Sequence, residues 1–178
     1  KISVTPAIPL YGRSADNLRD HRHVTSLLHR IKTSENGVIC KPVLSFDERG
    51  HQKNNMIYYV AGSTENGENP VSFFPTVASF IGESGTFLAP EALAKNQKGC
   101  GAGKEFAGEE ALGAMTFAEI MLAPGQAQEY IVVSGMTESE EEITRTAEAF
   151  HTKEQADAAF IKAKEYWNGL VNISFETG

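Results

Sequence analysis

Cysteine is scarce in this chain. There are two, Cys40 and Cys100, too few for a disulfide framework, and isolated thiols of this kind are most often small buried hydrophobes. Long apolar runs are missing as well: nothing approaches the ~20 residues that a membrane-spanning helix needs. Basic residues are in deficit, with 16 Lys+Arg against 23 Asp+Glu and a net charge of −7. That balance argues against a broad nucleic-acid or anionic-membrane face, which calls for a basic surface. Tryptophan occurs once. The first residue is Lys1, not Met, and no signal-type apolar segment follows, so the natural start is expected upstream. Neither HExxH nor GxSxG occurs, and no internal repeat is evident.

What is present, over 178 residues with 41% hydrophobic and 22% charged content, suits a globular domain with a core of useful size. Up to Met136 the pattern is β. "KISVTPAIPL" puts Ile2, Val4, Ile8 and Leu10 on one face at period two, and Pro6 and Pro9 push this strand to an edge. "VTSLLHRIKTSENGVICKPVLSF" reads as two strands joined at Asn36-Gly37, the strongest short hairpin signal. Along the second, Val38, Cys40, Pro42, Leu44 and Phe46 share a face. "NMIYYVAG" is a buried-type strand. "AMTFAEIMLAPGQAQEYIVVSGM" reads as another pair, turning at Pro124-Gly125. Between them, residues 68–96 are expected to carry one or two short helices, and "QKGCGAGKEFAGEEALG" is expected to be a flexible surface loop.

After Met136 strand signals stop. Thr137 with Glu140, and Thr152 with Gln155, match capping boxes. Ile143, Ala147 and Phe150 share one helical face. Ala156, Ala159, Phe160, Ala163, Trp167 and Leu170 share another at spacings of three and four. The plain expectation is two amphipathic helices packed on the sheet, separated near His151. "VNISFETG" closes the chain as a strand or linker, and its Asn172-Ile173-Ser174 fits the common glycosylation acceptor pattern. The division expected is 1–136 as a β-sandwich domain and 137–178 as a helical linker.

Motifs with chemistry are few. "GCGAGKE" fails the phosphate-loop pattern, because Lys98 stands where the first Gly is needed and Glu105 where the Mg-binding hydroxyl is needed. His21 and His23 would share a strand face, and His29 lies nearby, but no third zinc ligand follows at a recognised spacing. The informative stretch is "YGRSADNLRDHRHVTSLLHR", Tyr11 to Arg30, with four Arg, three His, two Asp and one Asn in twenty residues. Such a mixture recognises sugars and phosphate: Arg forks donate in pairs, Asp accepts from hydroxyls, Asn does both and His adds directional bonds. It also suits an internal network, with Asp16 and Asp20 set against Arg13, Arg19 and Arg22 to pin a loop. Both readings stand at this point. No paired carboxylates or nucleophile–base pair can be singled out, so no catalytic residue is assigned.

Read as a string, "LYGRSADNLRDHRHVTSLLHRI" resembles the N-terminal domain of the inverting glycoside phosphorylases that include cellobiose phosphorylase and the 1,2-β-oligoglucan phosphorylases, formerly glycosyltransferase family thirty-six. "LSFDERGH", "FPTVASFIGESG" and "MTFAEIMLAPGQAQEYIVVSGM" extend the likeness, and "AKEYWNGLVNISFETG" looks like the segment entering that family's barrel. The resemblance implies a mainly β chain, α+β overall: an antiparallel β-sandwich of the galactose-mutarotase-like supersandwich type with C-terminal linker helices. It implies a following (α/α) barrel that carries the Asp general acid and the phosphate site. There phosphate, a co-substrate and not a cofactor, inverts a β-glucosidic bond and releases α-glucose 1-phosphate. The sandwich itself would be non-catalytic and metal-free. It would pack on the barrel, face a β-glucan oligosaccharide and belong to a cytoplasmic enzyme, commonly a homodimer, with no nucleic-acid or membrane partner. Matched position by position, Arg22 is the substrate-facing candidate, followed by Arg19, Asp20, His23 and Asn17. Two other classes remain on the residues alone: a stand-alone carbohydrate-binding module, for which 9% aromatics in core-like runs is thin, and a structural or oligomerisation domain. A reading frame continuing into a helical barrel separates the first class from both.

Overall fold

The computed structural model describes residues 1–11, 22–47 and 50–170, without the side chains at 22, 23, 45–47 and 51. Ten strands and five helices follow one another among them: β1 (Ala7–Leu10), α1 (Arg22–Ser26), β2 (His29–Thr33), β3 (Gly37–Pro42), β4 (Leu44–Asp47), β5 (Gly50–Lys53), β6 (Ile57–Thr64), β7 (Ser72–Thr76), α2 (Val77–Ile81), α3 (Glu91–Ala94), β8 (Glu105–Ala107), β9 (Ala111–Thr116), β10 (Tyr130–Thr137), α4 (Glu140–Ala149) and α5 (Lys153–Leu170). They make a three-stranded sheet, β1-β9-β7, a five-stranded sheet, β10-β6-β3-β2-β8, and a ribbon, β4-β5. Every pairing is antiparallel. The β-sandwich expected from the sequence is therefore the fold.

Side-chain alternation builds the layers. Leu10, Ile31, Val38, Cys40, Val60, Phe73, Ala111, Met115 and Phe117 fill the space between the two main sheets. The opposite face of the three-stranded sheet gives Phe74, Leu112 and Ala114 to a second cluster with Phe80 of α2 and Ala92 of α3. The opposite face of the five-stranded sheet gives Ile39, Ile57 and Tyr59 to a third, closed by Ile143 of α4. Strand β9 lies in the middle of its sheet and is covered on both faces, so all of Ala111–Met115 is buried.

The edge position expected for Pro9 is right, since β1 is an outer strand. So is the hairpin at Asn36-Gly37, but its glycine has another purpose than a mirror-image turn. Gly37 is not among the residues with positive φ, and a Cβ there would stand 2.0 Å from the Val60 carbonyl oxygen. It is glycine because β6 runs against it.

Five expectations are corrected. "VTS" is not strand: α1 turns through it, and the Leu28 N–H donates to the Thr25 carbonyl at 3.1 Å before β2 begins. The long second strand breaks at Val43, whose N–H turns back to Leu28 at 3.0 Å, so β4 leaves the main sheet for its own ribbon. β7 was hidden by Pro75, which falls where the β7–β9 register shifts between Phe74 and Thr76; proline sits in sheets at such irregularities. The Gly-rich stretch contains β8, and its loop is pinned: Thr33 Oγ1 donates to the Gly101 carbonyl at 2.9 Å and accepts from Lys104 N–H at 2.9 Å. Finally, β9 and β10 are not a hairpin. β9 pairs with β1 and β7, while β10 pairs with β6, so residues 117–129 carry the chain from one sheet to the other.

The C-terminal helices also depart in part from expectation. Thr152 and Gln155 do form a capping box, with Thr152 N–H on Gln155 Oε1 at 3.0 Å and Gln155 N–H on Thr152 Oγ1 at 3.4 Å. Thr137 does not cap with Glu140. Ser139 is the N-cap, while Thr137 Oγ1 accepts from the Ser139 N–H and donates to Glu142. Helix α4 packs on the sheet through Ile143 and Ala147 as expected. Helix α5 does not: none of its residues is buried, and Phe160, Trp167 and Leu170 are 70%, 64% and 56% exposed. Among the described residues its start is tied down, by Lys153 N–H on the Glu65 carbonyl and by Lys153 Nζ on Glu129 at 2.7 Å.

Candidate functional site

The residues singled out by sequence fall at the entry to β2. Asn17, Arg19 and Asp20 lie outside the described residues, as do Asp16 and His21. Arg22 and His23 open α1, but their side chains are outside the description too. The described residues on either side are Tyr11, after β1, and helix α1.

Two side chains of α1, Thr25 and Ser26, are buried. The next strand opens on His29, 2% exposed. Its Nδ1 lies 3.1 Å from the Glu109 carbonyl oxygen. A carbonyl only accepts, so Nδ1 carries the proton and Nε2 presents a lone pair. Among the described residues Nε2 has no partner. Gly108 N–H donates to the His29 carbonyl at 3.1 Å, so the β8–β9 turn grips the start of β2 from both sides of His29. Burial holds the His29 imidazole below its ordinary 6.5, against the opposing pull of the Glu109 bond and the Glu110 charge. The ring is neutral at pH 7.

Over this turn lies an open cleft of about 420 Å³, lined by Ser26, Val77, Ala78, Ile81, Gly82 and the turn residues Gly108–Glu110. A separate hollow of about 10 Å³ touches Tyr11, Ser26, His29 and Glu110, room for about one water. The cleft thus combines an apolar wall from α2, two carboxylates and a hydroxyl, while the imidazole of His29 faces the small hollow. That set accepts hydrogen bonds, so it suits a ligand or side chain rich in donors.

Sequence reasoning counted His29 only as a possible zinc neighbour. It missed Glu109, Glu110 and the α2 wall, because their place beside α1 comes from sheet pairing across some eighty positions. The one local signal was Gly108, followed by two glutamates. Among the described residues no group of three His, Cys, Asp or Glu is placed to hold a metal. The two thiols are core groups: Cys40 is fully buried, and burial pushes it up to about 12, while Cys100 is half-buried and also pushed up by burial. No described helix is long and apolar enough to cross a membrane.

No curated protein matches the chain. Residues 1–153 match the family described as Glycosyl hydrolase 94, supersandwich domain. The two facing sheets, the helices on their outer sides and the extent of the match agree, and the chain belongs to the glycosyl hydrolase 94 family, as its supersandwich domain.

Proposed function

We propose that the chain is the non-catalytic sandwich part of an inverting glycoside phosphorylase, which cleaves β-glucosidic bonds with inorganic phosphate and releases α-glucose 1-phosphate. The observation that carries this, beyond family membership, is helix α5. A helix that presents Phe160, Trp167 and Leu170 to solvent on one stripe has the surface of a buried helix. A helical barrel packed on it would bury that stripe, so the partner is the chain's own barrel domain, and a homodimer and a cytoplasmic setting go with the reading. Arg22 is the residue proposed to reach the β-glucan, with Arg19, Asp20, His23 and Asn17 around it. The acceptor-rich cleft beside α1 supports this: Glu109 and Glu110 are charges that can hold neighbouring arginines in place.

Arg22→Ala in the full-length protein tests the assignment. A lost bond from a charged group would lower kcat/KM by an amount equivalent to about 1.5–3 kcal/mol, with Tm nearly unchanged. A lowered Tm with unchanged kinetics of the folded enzyme would make Arg22 a structural pin instead.

A second reading, a stand-alone carbohydrate-binding module, draws on one observation. Tyr166 and Trp167 are both exposed, with ring centroids 5.5 Å apart, and exposed aromatic pairs can stack on sugar rings. Glucan binding by the 178-residue chain that is lost in Trp167→Ala would favour it.

A further inference from the structure

A second cleft of about 450 Å³ opens on the outer face of the five-stranded sheet, between β8 and α4. Its charged lining is Arg30 and Lys32 of β2, Lys41 of β3, Glu105 of β8 and Glu140 of α4. In a chain of net charge −7, three cations on one patch of sheet call for a reason. The register makes the case sharper. Arg30 is paired directly with Lys41, and like charges in opposite positions destabilise a sheet. Lys32 lies two residues along the same face. Cβ atoms of directly opposed residues stand about 5 Å apart, and those two apart on a strand about 7 Å. Three such side chains can converge on one small ion.

The cations are not used up inside the fold. Lys41 pairs with Glu140 at 2.6 Å. Among the described residues, Arg30 and Lys32 have no carboxylate within ion-pair distance; Arg30 donates only to the carbonyl of His29, at 3.0 Å. Glu105 is opposite Lys32 in the register but makes no ion pair with it. The floor between them is apolar, from Ile39 and Ala107. We infer that this cleft binds a compact dianion of the phosphate class, free or as a monoester, between Arg30 and Lys32 with Lys41 at the side. Glu105 and Glu140 on the rim repel extended polyanions and limit the site to a small ion. Nothing in this depends on the proposed enzyme, since the cleft is part of the sandwich itself.

The test is titration of the 178-residue chain with inorganic phosphate and, separately, phenyl phosphate, at low ionic strength. Binding is read by calorimetry and by the rise in Tm. Saturable binding is expected, weakened about tenfold or more, which is the ~1.4 kcal/mol step, in Lys32→Gln and again in Arg30→Gln. Glu105→Gln should tighten it, and Lys164→Gln, on exposed α5, should leave it alone. All four replacements are at exposed positions, and each variant's own melting curve reports its folding. Phenyl phosphate binding at least as well as phosphate assigns the cleft to monoesters. Binding of phosphate alone assigns it to the free ion. Saturation by neither, or equal loss in Lys164→Gln, overturns the inference.

Discussion

Replacing Trp167 by Ala should leave the sandwich as stable as before. Sequence periodicity places Trp167 on the buried face of a helix, where its loss would cost about 3–5 kcal/mol. In the structure it is 64% exposed, and exposed substitutions stay within about 0.5 kcal/mol. Ile143 provides the contrast. It is 5% exposed and packs with Ile39, Ile57 and Tyr59 against the outer face of the five-stranded sheet. Ile143→Ala removes that contact and leaves a cavity, at about 2–5 kcal/mol. Urea unfolding of the chain followed by far-UV circular dichroism reads both. Trp167 is the one tryptophan, so its fluorescence gives an independent check: emission near that of free tryptophan, open to iodide, and little changed by unfolding. A Trp167→Ala penalty equal to that of Ile143→Ala, or a blue-shifted emission shielded from iodide, would refute the exposed placement of α5 and with it the argument for a docking helix.

Acid should weaken the fold through His29. Its folded pKa is depressed by burial, so as pH falls below about 6.5 the unfolded chain takes up a proton that the folded chain refuses. Stability is then lost from there down to the folded pKa, and a urea series between about pH 7.5 and 5.5 (one unit either side of the ordinary value) should show the loss, with a flatter profile in His29→Gln. Cys40, at about 12, and the shielded Cys100 should both react with a disulfide reagent far more slowly than free thiols at pH 8, and at the free rate in urea; fast reaction of a native thiol contradicts the core assignment. Gly37→Ala should cost about 3 kcal/mol, the top of the overpacking range, because its Cβ would meet the Val60 carbonyl at 2.0 Å; a neutral effect in urea unfolding would show that β3 and β6 can separate.

Strands that alternate or carry apolar β-branched runs were legible, which is why β1, β3, β6 and β10 lie within stretches read as strands, although β1 starts only at Ala7 and β3 ends at Pro42. Legibility failed where a residue answers to its neighbour across the sheet. Pro75 hides β7 because a bulge excuses it, and nothing local reveals that β9 and β10 belong to different sheets. The capping signal at Thr152 was read correctly because both partners are local; that at Thr137 was not, because Thr137 still belongs to β10 and its hydroxyl serves Ser139 and Glu142. The stripe on α5 was a true pattern with the wrong neighbour, since periodicity identifies an apolar face and not what covers it. At the candidate site the polar run was visible from composition, whereas His29, Glu109 and Glu110 meet only through the pairing of β2 with β8.

The central proposal is that this sandwich works as part of an inverting glycoside phosphorylase. Its most direct test is glucose 1-phosphate release from a panel of β-glucans by the full-length protein that carries this sequence, with the 178-residue chain assayed beside it. The account predicts phosphate-dependent release by the former, reduced by Arg22→Ala, and none by the latter. Turnover by the 178-residue chain alone, or no phosphorolysis of any β-glucan by the full-length protein, would contradict it.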